Sequence, residues 1–378
     1  MTPSIISSLQ TFFTPISLLF EYSGAERLLF NGLWGTLTPN PLKHYIVRSS
    51  WYVYSRLHKM ILSNSTALHH TCSDEYSAIT TLMWPLRLGP MTLSRMRFGL
   101  ANIGYNFPYD SRIRTTKVEG IHGEYLGKMV SHTHTQHTSK SVIFWIYGGA
   151  FLSGNVDGNV PLAANYADKT NSSAFVVNYK LCPEGTVENA VEDVIDAYNF
   201  LLASDYVDDA SNVTILGISS GGGLAVRLMQ HIALNKEFYG GVTVKNAVLI
   251  CPWVNYDIEN LPKSLVENTV HDLIVHQGVF SYVIPFGPRM AEMSDGKSNY
   301  RKVSPIFHSM KGLPKLCVIS SDHECTSDET YDLVEKCRKA GVEVKHHSQK
   351  YLCHVYALLP FLPEAQAAEK QIVDFLTV

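Results

Sequence analysis

The chain is short of the features that mark most other protein classes. No apolar run reaches the roughly 18 residues that a membrane-crossing helix needs. Residues 9–34 are rich in Phe, Leu and Trp, but Glu21, Glu26 and Arg27 interrupt them. A basic excess is missing too: Lys+Arg 31 against Asp+Glu 34 leaves a formal net charge of −3, which argues against a nucleic-acid partner. The seven Cys are scattered and match neither C-x-x-C nor any Cys/His metal spacing. Neither a disulfide framework, a metal site nor a cofactor is therefore expected, and reduced thiols in a cytoplasmic setting fit better. The first residues show no basic stretch leading to a small-residue cleavage site, so a secretory signal is not expected, and Asn64-Ser65-Thr66 and Asn171-Ser172-Ser173 read as chance glycosylation matches. What is present is apolar mass. At 378 residues and 46% hydrophobic, the chain can bury the core of one α/β domain of about 260 residues plus a cap.

The apolar, β-branched run Asn212-Val213-Thr214-Ile215-Leu216 leads into Gly217-Ile218-Ser219-Ser220-Gly221 and then Gly222-Gly223-Leu224-Ala225-Val226, which reads as the start of a helix. Flanking glycines let a strand turn sharply enough to hold a serine hydroxyl clear of the backbone, so Ser219 is a candidate nucleophile. In a chain with 25 Gly the five residues alone could be a tight turn with a surface serine. The strand before and the helix after favour the nucleophile.

An activated serine needs donors for an oxyanion, a base, and a group that orients the base. Upstream, the strand pattern Ser141-Val142-Ile143-Phe144-Trp145-Ile146 gives way to Tyr147-Gly148-Gly149-Ala150-Phe151, where paired glycines leave backbone N–H groups free to meet a ligand. His354 follows the strand-like Val342-Glu343-Val344-Lys345-His346-His347, in a loop at the carboxyl end of a strand, where such sheets place working side chains. For the acid, the strand Lys315-Leu316-Cys317-Val318-Ile319 is followed by four carboxylates. Asp328 and Glu329 open the next helix, where they complement its dipole. Asp322 and Glu324 both remain in the loop, and spacing does not separate them.

These residues carry a family resemblance. The chain resembles the hormone-sensitive-lipase-like branch of α/β-hydrolase esterases, which includes arylacetamide-deacetylase-like enzymes and carboxylesterases. The family's H-G-G-G/A-aromatic loop is similar to Tyr147-Gly148-Gly149-Ala150-Phe151 except at its first residue, and Y-R-L-A-P-E is similar to Tyr179-Lys180-Leu181-Cys182-Pro183-Glu184, with the downstream aspartate at Asp193. G-D-S-A-G-G corresponds to Gly217-Ile218-Ser219-Ser220-Gly221-Gly222, S-P-L-x to Ser304-Pro305-Ile306-Phe307, and D-x-L-x-D-E to Glu324-Cys325-Thr326-Ser327-Asp328-Glu329. The resemblance implies Glu324 as the acid beside Ser219 and His354, and oxyanion donors at Gly148, Gly149 and Ser220. The departures at Tyr147 and Ile218, with Ala150, fall beside the pocket and are expected to shape it.

The implied fold is α/β: a mostly parallel central sheet flanked by helices, with residues 1–110 as a helical cap, 111–378 as the catalytic domain, and a cap insert at about 256–303. Within that insert Val279, Phe280, Tyr282, Val283 and Phe286 are candidates to line an acyl or ring pocket, with plain cap packing as the other reading. Strands are predicted at 141–147, 174–180, 212–217, 246–251, 315–320 and 342–348, and helices from 187, 220, 327 and 363. The expected reaction is hydrolysis of small to medium apolar esters, because no Lys/Arg cluster offers to hold an anionic group. The same triad redirected to a cyclisation, dehydration or acyl transfer is the alternative, and a silent ligand-binding module the more distant one. A peripheral membrane contact through residues 9–34 and a homodimer complete the partners considered.

Overall fold

The computed structural model describes residues 34, 38–62, 72–83, 91–133 and 140–377. Of the apolar stretch at residues 9–34, all but Trp34 lies outside them. Three helices come first: α1 (Asn40–Leu62), α2 (Asp74–Met83) and α3 (Leu93–Ala101). The strands and helices of the main body follow as β1 (Ile113–Glu119), β2 (Tyr125–His132), β3 (Val142–Ile146), α4 (Val156–Lys169), β4 (Ser173–Val177), α5 (Val187–Ala203), β5 (Val213–Ile218), α6 (Ser220–Leu234) and β6 (Asn246–Ile250). An insert of short helices, α7 (Lys263–Glu267), α8 (Gln277–Val283), α9 (Gly287–Met290) and α10 (Tyr300–Val303), precedes β7 (Leu316–Ser321), α11 (Ser327–Lys339), β8 (Val344–Gln349) and α12 (Pro363–Thr377).

The eight strands form one sheet in the order β1-β2-β4-β3-β5-β6-β7-β8, with β1 and β2 antiparallel and β3 to β8 parallel. Right-handed crossovers then dictate the layers. The step from β3 to β4 runs opposite in direction to those from β4 to β5, β5 to β6 and β7 to β8, so α4 covers one face while α5, α6 and α11 cover the other. On the α4 face, Asn165 and Lys169 reach Glu369 of α12. Sandwiched between helices, β3, β5, β6 and β7 are buried along their whole length, which is why they read as continuous apolar runs rather than alternating ones. The predicted strands and helix starts fall within three residues of those observed, but neither the β1–β2 hairpin nor α4 was foreseen. β1 lies at the sheet edge and most of its residues are exposed, so it has no apolar run to announce it.

This topology brings the carboxyl ends of β3, β5, β7 and β8 to one rim, where the loops bearing Gly148, Ser219, Glu324 and His354 meet.

Candidate active site

Ser219 sits between β5 and α6 with φ 53° and ψ −122°, a conformation that costs a non-glycine residue of order 1–3 kcal/mol. The surroundings hold it there. Its N–H donates to Ile250 O (2.9 Å), and its own carbonyl accepts from Gly222 (2.8 Å), Gly223 (3.3 Å) and Trp253 (2.9 Å). Close approach, not turn flexibility alone, explains the glycines. A Cβ at Gly221 would lie 2.2 Å from Tyr147 O and 2.3 Å from Ile146 O. Gly221→Ala is therefore expected to lose about 1–3 kcal/mol in denaturant unfolding, with a matching fall in activity as the elbow and the 147–154 loop are pushed apart.

His354 Nε2 lies 2.8 Å from Ser219 Oγ, and its Nδ1–H donates to Glu324 Oε2 at 2.7 Å. Both partners are sequestered, Glu324 at 0% and His354 at 3% exposure. The carboxylate is oriented by Thr326, whose N–H donates to Oε2 (2.8 Å) and whose hydroxyl donates to Oε1 (2.8 Å). Burial alone would lower the His354 pKa; the charge and hydrogen bond of Glu324, with the charge of Asp272 behind them, outweigh it and leave the imidazole above its ordinary value. Asp322, the competing carboxylate, accepts from Tyr351 N–H (3.0 Å) and pairs with His323 instead.

The 147–154 loop crosses in front of Ser219 with positive φ at Gly149, Ala150, Phe151 and Gly154. Its Phe151 N–H donates to Ser220 Oγ (3.4 Å), and Cys182 N–H donates to Phe151 O (2.7 Å). Among the described residues, the N–H groups of Gly148, Gly149, Ala150 and Ser220 donate to no protein acceptor. They form a row of polar donors beside Ser219. Ala150, read from sequence only as a pocket residue, belongs to that row by its backbone.

An apolar cavity of about 240 Å³ opens on Ser219 and His354. Gly148, Gly149, Ala150 and Ile218 line it, together with Met96, Leu100 and Ile103 from α3 and the turn after it, and Ile274, Val275 and Val279 from the insert. Of the expected lining residues, Tyr147, Phe280, Tyr282, Val283 and Phe286 are absent. Tyr147 is buried beneath the loop, stacked on Tyr179 at 4.5 Å between ring centroids, with the Tyr179 hydroxyl donating to its carbonyl. Phe280 is not on the wall either: α8 offers Val279, and one residue further the helix has turned by about 100°.

Two contributors, Arg97 and Asp272, carry no sequence motif. Arg97 of α3 pairs with both oxygens of Glu184 and donates to Leu152 O and Cys182 O, which fastens α3 to the loop beside Ser219. Asp328 and Glu329 do more than complement a helix dipole: Asp328 accepts from Ser264 N–H, and the buried Glu329 from Val254 and Asn255 N–H (2.6 Å each). The buried Asp272 accepts from His354 N–H (2.9 Å) and Cys325 N–H (3.2 Å) with one oxygen, and from Ile274 and Val275 N–H with the other.

A serine on a strained strand-to-helix elbow, served by a histidine and an acid from later strands of the same parallel sheet, defines the α/β-hydrolase class of site. The model of the family with the α/β-hydrolase fold matches residues 143–358, more than half of the chain, and the chain belongs to that family. It is 26% identical over 267 residues to a protein named esterase from Acinetobacter venetianus, covering 70% of this chain and 82% of that one. It is 22% identical over 311 residues to the carboxylesterase NlhH of Mycobacterium tuberculosis, covering 82% and 90%. Among solved structures, an esterase of the bacterial hormone-sensitive lipase family shares the fold, with a TM-score of 0.69 at 23% identity over 81% of this chain and 98% of that one.

Proposed function

We propose that the chain is a serine carboxylesterase that cleaves small to medium apolar esters through an acyl-enzyme on Ser219. The observation that carries this reading is the continuous relay Ser219–His354–Glu324 opening on an apolar cavity. His354 takes the Ser219 proton as Oγ attacks the ester carbonyl, Glu324 stabilises the imidazolium, and the N–H groups of Gly148, Gly149, Ala150 and Ser220 supply the donors that receive the developing oxyanion. The imidazolium then protonates the departing alcohol, and a water activated by the same histidine frees the acid. Residues 1–110 and the insert at 256–303 act as the cap on the 111–378 catalytic domain: α3 and residues 274–279 roof the cavity and exclude water from it. The esterase names of the matched relatives support the same chemistry.

Kinetics test both parts. Neutral p-nitrophenyl esters of short acyl chain should turn over far faster than acyl-coenzyme A thioesters; a preference for the charged substrates would refute the apolar assignment. The base must be neutral to work, and its pKa is raised, so activity is lost as pH falls through a midpoint above the ~6.5 of ordinary imidazole. Glu324→Gln removes the charge that raises it. Its kcat/KM profile should show the acid limb displaced to lower pH, with a lower plateau.

A further inference from the structure

The roof of this cavity carries a helix whose outer face has no counterpart elsewhere in the described chain. Of the 17 large apolar side chains exposed among the described residues, seven lie on α1: Leu42, Tyr45, Ile46, Tyr52, Val53, Leu57 and Met60. They recur at helical spacing and form one stripe, with Tyr45 70%, Val53 53% and Met60 73% exposed. The opposite face is anchored. Trp51 stacks on Phe361 at 4.8 Å between centroids and donates to Asn106, and His44 donates to Phe107 O at 2.7 Å. The outward stripe is therefore not an undocked core face of a badly seated helix.

The charge of α1 is one-sided. Its sequence holds Lys43, which is buried over the Tyr105 ring, together with Arg48, Arg56 and Lys59, and no Asp or Glu, in a chain of net charge −3. Exposed Arg48 borders the stripe and exposed Arg56 lies within it, over the Tyr52 ring at 5.3 Å, and the acids Asp74, Glu75 and Glu369 line the side groove that also holds Arg48, Tyr52 and Arg56. Apolar and tyrosine side chains with arginines among and beside them, on a helix that carries no carboxylate of its own, are the composition of a helix that lies in the headgroup region of an anionic bilayer. No described helix is long and apolar enough to cross a membrane, so the contact is peripheral.

We propose that the outer face of α1 docks this protein onto an anionic lipid surface. The helix sits on residues 103–107, and Ile103 lines the cavity, so docking holds the roof of the site against the layer where apolar esters collect. This last step rests on the esterase reading; the docking itself does not.

The test is co-sedimentation of the full chain with vesicles, without substrate. Wild type should pellet with phosphatidylcholine vesicles containing about 30 mol% phosphatidylserine, should be released by raised salt, and should stay in solution with phosphatidylcholine alone. The variant V53E/M60E, which alters two exposed side chains, should lose about tenfold or more in partitioning, while its hydrolysis of a dissolved short-chain ester is unchanged. Undiminished binding by that variant would overturn the proposal and assign any contact to another segment. So would failure of wild type to bind anionic vesicles, or a wild-type dimer in light scattering that V53E/M60E dissociates, since the stripe would then be covered by a second copy.

Discussion

Replacing Ser219 with Ala should lower kcat for p-nitrophenyl butyrate by roughly 10⁴–10⁶-fold, to the level supported by the donors and binding alone. The size follows from what remains. The His354 base loses its only substrate-facing partner, and no neighbouring group can take over as nucleophile. Cys251, Cys325 and Cys353 surround the site but are buried, and burial pushes the thiols of Cys251 and Cys325 well above their ordinary range, so neither of those two presents a thiolate. The substitution should leave folding intact, because the hydroxyl contacts only His354 and removing it relieves nothing in the elbow that the backbone bonds do not already hold. Steady-state kinetics and a thermal melt on the same preparation check both halves. A variant that retains more than about 1% of wild-type kcat with an unchanged melt would refute acyl transfer through Ser219.

The central part of the fold was legible because each level of the sequence agreed with the next. Gly217 to Gly223 is at once a turn, a helix start and a close crossing with the 147–154 loop, so three physical requirements point to the same residues. The choice between Asp322 and Glu324 was not legible from the residues themselves. Both lie after β7, and only the fold of the loop, with Thr326 turning the Glu324 carboxylate toward His354, separates them; family resemblance pointed to Glu324, and the geometry pairs it with His354. The cavity wall was harder still. Tyr147 and Phe280 have the side chains of pocket residues, but whether a ring faces a cavity depends on packing partners from other elements, here Tyr179 beneath the loop and the rotation of α8. Arg97 and Asp272 were invisible for the same reason: each has partners among backbone groups 53 to 85 positions away in the chain.

Asp272 carries the second large prediction. It is buried in the insert, 1% exposed, and its two oxygens hold four backbone N–H groups: those of Ile274 and Val275 on the cavity wall, Cys325 beside the acid, and His354 itself. One side chain thus ties the roof to the two loops that must meet at Ser219. Asp272→Ala would strand these donors in a dry interior and is expected to cost about 3–5 kcal/mol, or on the order of 10 °C in Tm, with loss of activity as the His354 loop loosens. A purely structural role would end there. The Asp272 charge also favours the imidazolium of His354, so the near-isosteric Asp272→Asn, which perturbs the scaffold less than Ala, tests the electrostatics through the pH profile. It keeps one acceptor, for two of the four N–H groups, sets an amide NH2 against the other two, and drops the charge, which lowers the His354 pKa and should move the acid limb of kcat/KM to lower pH where the fold is retained. An Asp272→Asn enzyme with the wild-type pH profile would reduce Asp272 to a clamp; a displaced limb would make it a positioning residue that also sets the pH at which the base works.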